Sequence, residues 1–293
     1  MANAAYDAGA SLSELLLIRF VVAGAALWLI VAIRRPAPPR RGLVVIGLTL
    51  GGVCYATQSA LYFAALPYNG PSLTTLLLYT FPVVVFVVSL ARGREQVTRM
   101  RVAALALALG GVAAVLLGTG SGTLHPVGVA LGLATALAYS AYILIGESVD
   151  QGLDRILLGA LVCTGAAVTY AVVNVGSGGS TFDFRLEGWF WAGTLGLVAT
   201  AFALTTFFAG MRLVGAATAS IVSCAEPVAT VLIGVSLFGD RLGAVQLVGA
   251  FSVVVAVVLL QRRSPSGATG TAGSSPSNQR GPTPRRAARS PEL

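Results

Sequence analysis

Nine runs of roughly twenty apolar residues divide this chain, and a run of that length is what crosses a bilayer as a helix. They are Leu12–Ile33, Leu43–Ala65, Ser72–Ala91, Val102–Gly118, Val127–Ile145, Ile156–Val175, Trp189–Gly210, Ala216–Phe238 and Ala244–Leu260. The connections are short, so successive helices run antiparallel. The expected fold is an all-α membrane protein, a polytopic helical bundle of nine written spans. Only 10% of the residues are charged and 56% are hydrophobic, against about 25% charged in soluble domains.

The net charge of +8 comes from 19 arginines, with no lysine in the chain. Such a balance can signal nucleic acid, but these arginines sit in short loops and in the tail, which is the pattern of membrane orientation. Sixteen fall on one alternating side, among them Arg34, Arg35, Arg40, Arg41, Arg92, Arg94, Arg99, Arg101 and Arg155. Only Arg19, Arg185 and Arg241 fall on the other. This predicts a multi-pass protein of the cytoplasmic membrane with its C-terminal tail in the cytoplasm. The lipid bilayer is the expected partner and nucleic acid is not. From Ser264 onward the chain is Ser, Pro, Gly, Thr and Arg with almost nothing to bury, and it is expected to be disordered. Met1–Ala10 has no basic stretch and includes Asp7, so no cleavable signal peptide is expected. Cys54, Cys163 and Cys224 all lie inside apolar runs and read as small core residues.

The two halves match at a constant offset of 145 residues without a gap. Thr49-Leu50-Gly51 matches Thr194-Leu195-Gly196, and Phe63-Ala64 matches Phe208-Ala209. Gly70 matches Gly215, Pro82 matches Pro227, and Glu95 matches another acid, Asp240. The offset covers five spans, an odd number, so matched helices cross in opposite directions. That is an inverted-topology repeat, the plan of many secondary transporters, with the substrate site at the repeat interface near the midplane. The expected units are 1–121 and 122–263, followed by a tail over 264–293. Val127–Ile145 has no partner 145 residues earlier, so the complete unit is expected to hold ten spans, the first of them missing through a late start or a truncation.

Glu226 stands in the middle of an apolar run with Pro227 beside it. A carboxylate at that depth costs about 2.5–3.5 kcal/mol on insertion scales unless it faces a cavity, a partner or a proton. It reads either as a site for a proton or a substrate ammonium, or as a structural carboxyl satisfying backbone groups freed around the proline. Its repeat mate, Phe81, is apolar, whereas the proline recurs. Pro82 and Pro227 therefore read as a shared helix break or hinge. Arg19 is a candidate partner for an anionic substrate group or for Glu226, or else an arginine that snorkels to the interface. Gln58 and Tyr62 are four apart and share a helix face, extended by Tyr55, and Tyr139 and Tyr142 share another. With Tyr79 these are candidates to line an aqueous cavity, hydroxyls and an amide binding a polar solute while rings cover its apolar part. The alternative is hydrogen bonding between helices. Gly47-xxx-Gly51 and Gly128-xxx-Gly132 are expected to serve close packing. His125, beside Pro126, reads as a solvated loop residue. Glu95 and Asp240 are expected to cap or salt-bridge helix ends beside Arg94 and Arg241.

The chain resembles the drug/metabolite transporter superfamily in its EamA-like branch of ten-helix, two-repeat proteins. The resemblance rests on Arg19-Phe20, Thr80-Phe81-Pro82, Glu226-Pro227-Val228 and Phe238-Gly239-Asp240-Arg241-Leu242 with Gly249. It implies transport of small metabolites, most often export, by alternating access, with protons a possible coupling ion. From the residues alone, an intramembrane enzyme lacks its means: the lone histidine is in a loop, and no two acids share a span face. No zinc pattern, P-loop or other cofactor signature is visible, so no metal and no cofactor is expected. The remaining alternative is a non-transporting membrane scaffold or a truncated inactive relative.

Overall fold

The computed structural model describes residues 12–117, 125–150, 152–176, 186–229 and 243–261. All regular elements among them are helical. In chain order they are α1 (Leu12–Arg34), α2 (Arg41–Thr49), a first π segment (Leu50–Tyr55), α3 (Ala56–Leu78), α4 (Phe81–Ala91), α5 (Arg99–Leu117), α6 (Pro126–Asp150) and α7 (Arg155–Gly176). Then come α8 (Leu186–Gly196), a second π segment (Leu197–Phe202), α9 (Ala203–Ser223) and α10 (Ala244–Gln261). The expected tail over 264–293 and the end of the Ala216–Phe238 run, with Asp240 and Arg241, lie outside the described residues.

Six helical stretches are long and apolar enough to cross a membrane, and Ala244–Leu260 is a shorter apolar helix. Two of the six are too long for one pass. Arg41–Ala91 has 51 residues and Gly188–Ser223 has 36, and at 1.5 Å per residue the first would extend to about 75 Å against a core of about 30 Å. Each is broken at a glycine. Gly70, inside α3, has φ 72° and ψ 171°, and Gly215, inside α9, has φ 80° and ψ 164°. These are backbone values that only glycine adopts without strain. They occur at repeat-matched positions, so one chain reversal is built twice. The expected loop after Ala65 is thus no loop: helix continues to Asn69, and a single glycine makes the turn.

Repeat mates also pack on each other. α1 lies against α7, and α5 against α10. At the second crossing the backbones touch: a Cβ on Gly111 would stand 2.6 Å from the Gly249 carbonyl oxygen, and one on Gly249 the same distance from that of Gly111. Helices approach this closely in lipid only through small residues. The two glycine patterns read from sequence serve the bundle in this way. Gly51 lies against the Val162 backbone, and Gly128 and Gly132 let α6 settle on Asn69 and Leu77 of α3.

Charges gather at the Gly215 break. Glu147 Oε1 accepts a hydrogen bond from the Ala216 N–H at 2.9 Å, supplying an acceptor to a helix start that has none of its own. Its other oxygen accepts from Arg94 at 2.6 Å. Glu95 pairs with Arg101, so the acid expected beside Arg94 serves another arginine. At the Gly70 break, the His125 N–H donates to Asn69 Oδ1 at 3.0 Å. The His125 ring lies against Tyr68, tilted by 32° with centroids 5.0 Å apart. The expected solvated histidine is exposed but tied to that turn.

Candidate functional site

The two π segments explain how the bundle keeps polar residues at its centre. A π turn widens the helix and leaves carbonyls without their usual partners. In the first segment, the Gly52 carbonyl is satisfied by the Thr169 hydroxyl of α7 at 2.8 Å. This requires near backbone contact: a Cβ on Gly51 would stand 1.9 Å from the Val162 carbonyl oxygen, and one on Gly165 2.1 Å from that of Leu48. The second segment packs likewise on α1, where a Cβ on Gly196 would stand 2.8 Å from the Arg19 carbonyl oxygen.

Tyr55 ends the first segment and turns toward the bundle centre. With Gln58, Tyr62, Tyr79, Tyr139 and Glu226 it lines a cavity of about 250 Å³, completed by Thr75, Leu78 and Phe81. Residues from both repeats therefore meet in one place. The Tyr79 hydroxyl donates to Glu226 Oε2 at 3.1 Å. Tyr62 and Thr75, on opposite arms of the Gly70 break, share a hydrogen bond of 2.8 Å. Phe81 meets Tyr139 edge to face at 4.7 Å. Glu226 is exposed, whereas Gln58 is buried, so the carboxylate opens to the cavity while the amide forms part of its wall.

Both prolines fall in the first helical turn after a break. Thr80 precedes α4, with Pro82 next to its start, and the Thr80 hydroxyl donates to the Leu77 carbonyl at 2.7 Å. On the other side the chain turns at Cys224 and resumes as helix over 225–229, which includes Pro227. In the first turn a missing N–H leaves no bond unmade. The prolines thus begin helices at these breaks and place Tyr79 and Glu226 where backbone geometry changes.

Two residues expected at the cavity stand behind it. Tyr142 is fully buried, stacked on Tyr139 at 5.8 Å and edge-on to Tyr55 at 5.5 Å. Its position one turn beyond Tyr139 on α6 puts it in the next layer with Phe208, also fully buried. Arg19 is held by Thr200, Tyr55 and Phe20. Its Nε donates to Thr200 Oγ1 at 2.5 Å, Nη2 donates to the Tyr55 hydroxyl at 3.3 Å, and the guanidinium carbon lies 5.4 Å from the centre of the Phe20 ring. Tyr55 and Thr200 are repeat mates, 145 residues apart, so this one cation joins equivalent points of the two halves. The π segments gave no signal in the hydrophobic pattern, because both continue apolar runs. The sequence trace was the matched Thr-Leu-Gly, which opens into the first segment and directly precedes the second.

Among the described residues, no group of three or more His, Cys, Asp or Glu side chains could hold a metal.

Comparison with known proteins adds family and fold. The model of the EamA-like transporter family matches residues 5–117 and 126–262. The uncharacterized transporter YcbK of Bacillus subtilis (strain 168) is 26% identical over 276 residues, covering 88% of this chain and 86% of that protein. An uncharacterized transporter of Archaeoglobus fulgidus is 29% identical over 205 residues, covering 69% of this chain and 72% of its own length. A solved crystal structure superposes with a TM-score of 0.76 over 89% of this chain and 92% of that one, at 20% identity.

Proposed function

Because the chain belongs to the EamA-like transporter family, we propose that it is a secondary transporter that exports small amphipathic metabolites across the cytoplasmic membrane by alternating access. The observation that carries this is the cavity of about 250 Å³ at which Gln58 and Tyr79 of the first repeat meet Glu226 of the second. A site at the repeat interface is equivalent to both membrane faces, which alternating access requires. Matched breaks at Gly70 and Gly215 give each half a place to flex.

The cavity suits a solute carrying an ammonium group, such as an amino-acid-like metabolite or an amine. Glu226 supplies the anion, and the rings of Tyr62, Tyr79, Tyr139 and Phe81 cover apolar surface and favour a cation at their faces. The volume admits only small solutes. Protons are the proposed coupling ion. The arginine distribution supports a cytoplasmic C-terminal tail. The reading is of a carrier without catalysis, since the cavity wall presents phenols, an amide, one threonine and one carboxylate and lacks the paired nucleophile and base of an enzyme.

The test is flux in proteoliposomes of the purified full chain, with a panel of amino acids and small amines under imposed proton gradients. The expected result is saturable, gradient-dependent movement of at least one ammonium-bearing solute, lost in Glu226→Gln. No movement of any solute under any gradient would favour a scaffold.

A further inference from the structure

A second concavity lies on the outside of the bundle and shares no residue with the solute cavity. It is a groove of about 470 Å³ between α1, the start of α7 and the second π segment with α9. Its walls are apolar over most of their length, with Leu27 and Ile30 on one side and Phe202 and Ala209 on the other. One end is different, for there Arg34 and Arg155 complete the lining.

The two arginines reach this place for separate local reasons. Arg34 is the last residue of α1. Arg35, with φ 48°, is the one non-glycine residue of positive φ among those described, and it ends the helix just past the groove. Arg155 is the first residue of α7. Both are exposed. The ion pairs among the described residues are Arg94–Glu147 and Arg101–Glu95, so neither arginine is spent on one of them. From Ala26 to Arg34 the groove follows α1 for about 12 Å at 1.5 Å per residue. That is close to the hydrocarbon depth of one leaflet, about 15 Å.

The geometry points to a binding site for an anionic phospholipid of the leaflet on the arginine-rich face. One acyl chain lies along Leu27, Ile30 and Phe202, and the phosphate sits between the Arg34 and Arg155 guanidinium groups. Basic pockets between membrane helices recognise anionic headgroups in this way, and guanidinium forks match phosphate oxygens. An apolar groove alone would take any lipid. Two cations at the depth of the headgroup select the charge. The site stands whether or not the solute cavity transports anything.

The test uses the purified full chain in detergent, titrated with dioleoylphosphatidylglycerol or dioleoylphosphatidylcholine. Bound lipid is counted by native mass spectrometry and stability is followed by Tm. The expected result is one phosphatidylglycerol bound in preference to phosphatidylcholine by about tenfold or more, with inorganic phosphate failing to displace it. Arg34→Gln with Arg155→Gln should bring the two lipids to parity, and Arg40→Gln with Arg41→Gln should leave the preference intact. Ala209→Phe, which fills the groove and keeps both arginines, should lose the lipid and serves if the double variant does not fold. Parity in the wild-type protein, displacement by free phosphate, a preference surviving in Arg34→Gln/Arg155→Gln or in Ala209→Phe, or an equal loss in the Arg40/Arg41 control would overturn the site.

Discussion

The Tyr79 hydroxyl and the Glu226 carboxylate, 3.1 Å apart, join the two repeats at their helix breaks. Each belongs to the turn that precedes or contains a matched proline, yet their own repeat mates, Cys224 and Phe81, cannot make this bond. The halves are alike in frame and unlike in chemistry at this meeting point. Glu226→Gln keeps an acceptor for Tyr79 and removes the charge. It is expected to leave Tm almost unchanged and to lower flux of an ammonium-bearing solute by tenfold or more, on the order of 1.4 kcal/mol. Normal flux at every pH combined with a lowered Tm would instead make Glu226 a structural carboxyl.

Tyr79→Phe removes the donor and keeps the ring. Hydrogen bonds to charged groups are worth about 1.5–3 kcal/mol, but an exposed carboxylate regains much of that from water. The expected loss of stability is therefore under about 1 kcal/mol. The expected effect on transport is larger, a rise in KM with kcat nearly kept, because the carboxylate is no longer held toward the solute. Concentration-dependent uptake into proteoliposomes reads both constants.

Gly70→Ala and Gly51→Ala separate two reasons for glycine. At Gly70 a Cβ would meet nothing within 4 Å, so the cost is torsional, about 1–3 kcal/mol. At Gly51 the backbone is helical with no positive φ, but a Cβ would lie 1.9 Å from the Val162 carbonyl oxygen, and α7 must move away. Gly51→Ala is expected to lower Tm and yield of folded protein much more than Gly70→Ala. Equal effects would mean that the π segment can shift freely.

The helical class and the repeat were legible because they depend on composition and on a fixed offset, which the chain states outright. The partners Gln58, Tyr62, Tyr79, Tyr139 and Glu226 could be gathered because helical spacing puts Gln58 and Tyr62 on one face and the repeat brings Glu226 across. Arg19 and Tyr142 lie outside the cavity lining, and spacing could not foresee that: it says which face a residue occupies and not how deep its side chain sits behind a neighbour. The π segments were hidden because an apolar run reads the same whether its helix is regular or widened, and the gap between Ala65 and Ser72 showed a break without showing that helix runs up to Gly70. Arg94 and Glu147 are 53 residues apart, and only the packed bundle makes them a pair.

Glu147 performs two jobs that a pair of substitutions can divide. One oxygen accepts from the Ala216 N–H and the other from Arg94. Glu147→Gln retains an acceptor for the helix start and loses the ion pair, which is half exposed on the Arg94 side and worth at most about 1 kcal/mol. Glu147→Ala loses both, adding about 1 kcal/mol for the missing cap. The expected order of Tm is wild type, then Glu147→Gln, then Glu147→Ala, and added salt should narrow only the first gap. If the two variants melt together, the cap contributes nothing.

Arg19 carries the strongest claim about how the halves are joined. Its guanidinium bridges Thr200 and Tyr55, the same position in two repeats, inside a bundle where an unmatched cation is costly. Lysine has the charge without the fork that reaches two acceptors at once. Arg19→Lys is therefore expected to destabilise by about 1–2 kcal/mol through the lost bond to one hydroxyl. Thr200→Val should add little to Arg19→Met, since the bond is already gone, although it costs about 1 kcal/mol alone. Thermal or denaturant unfolding of the four proteins in this cycle measures the coupling. Strict additivity would mean that Arg19 is held by the Phe20 ring and Tyr55 alone, leaving the repeats joined on one side.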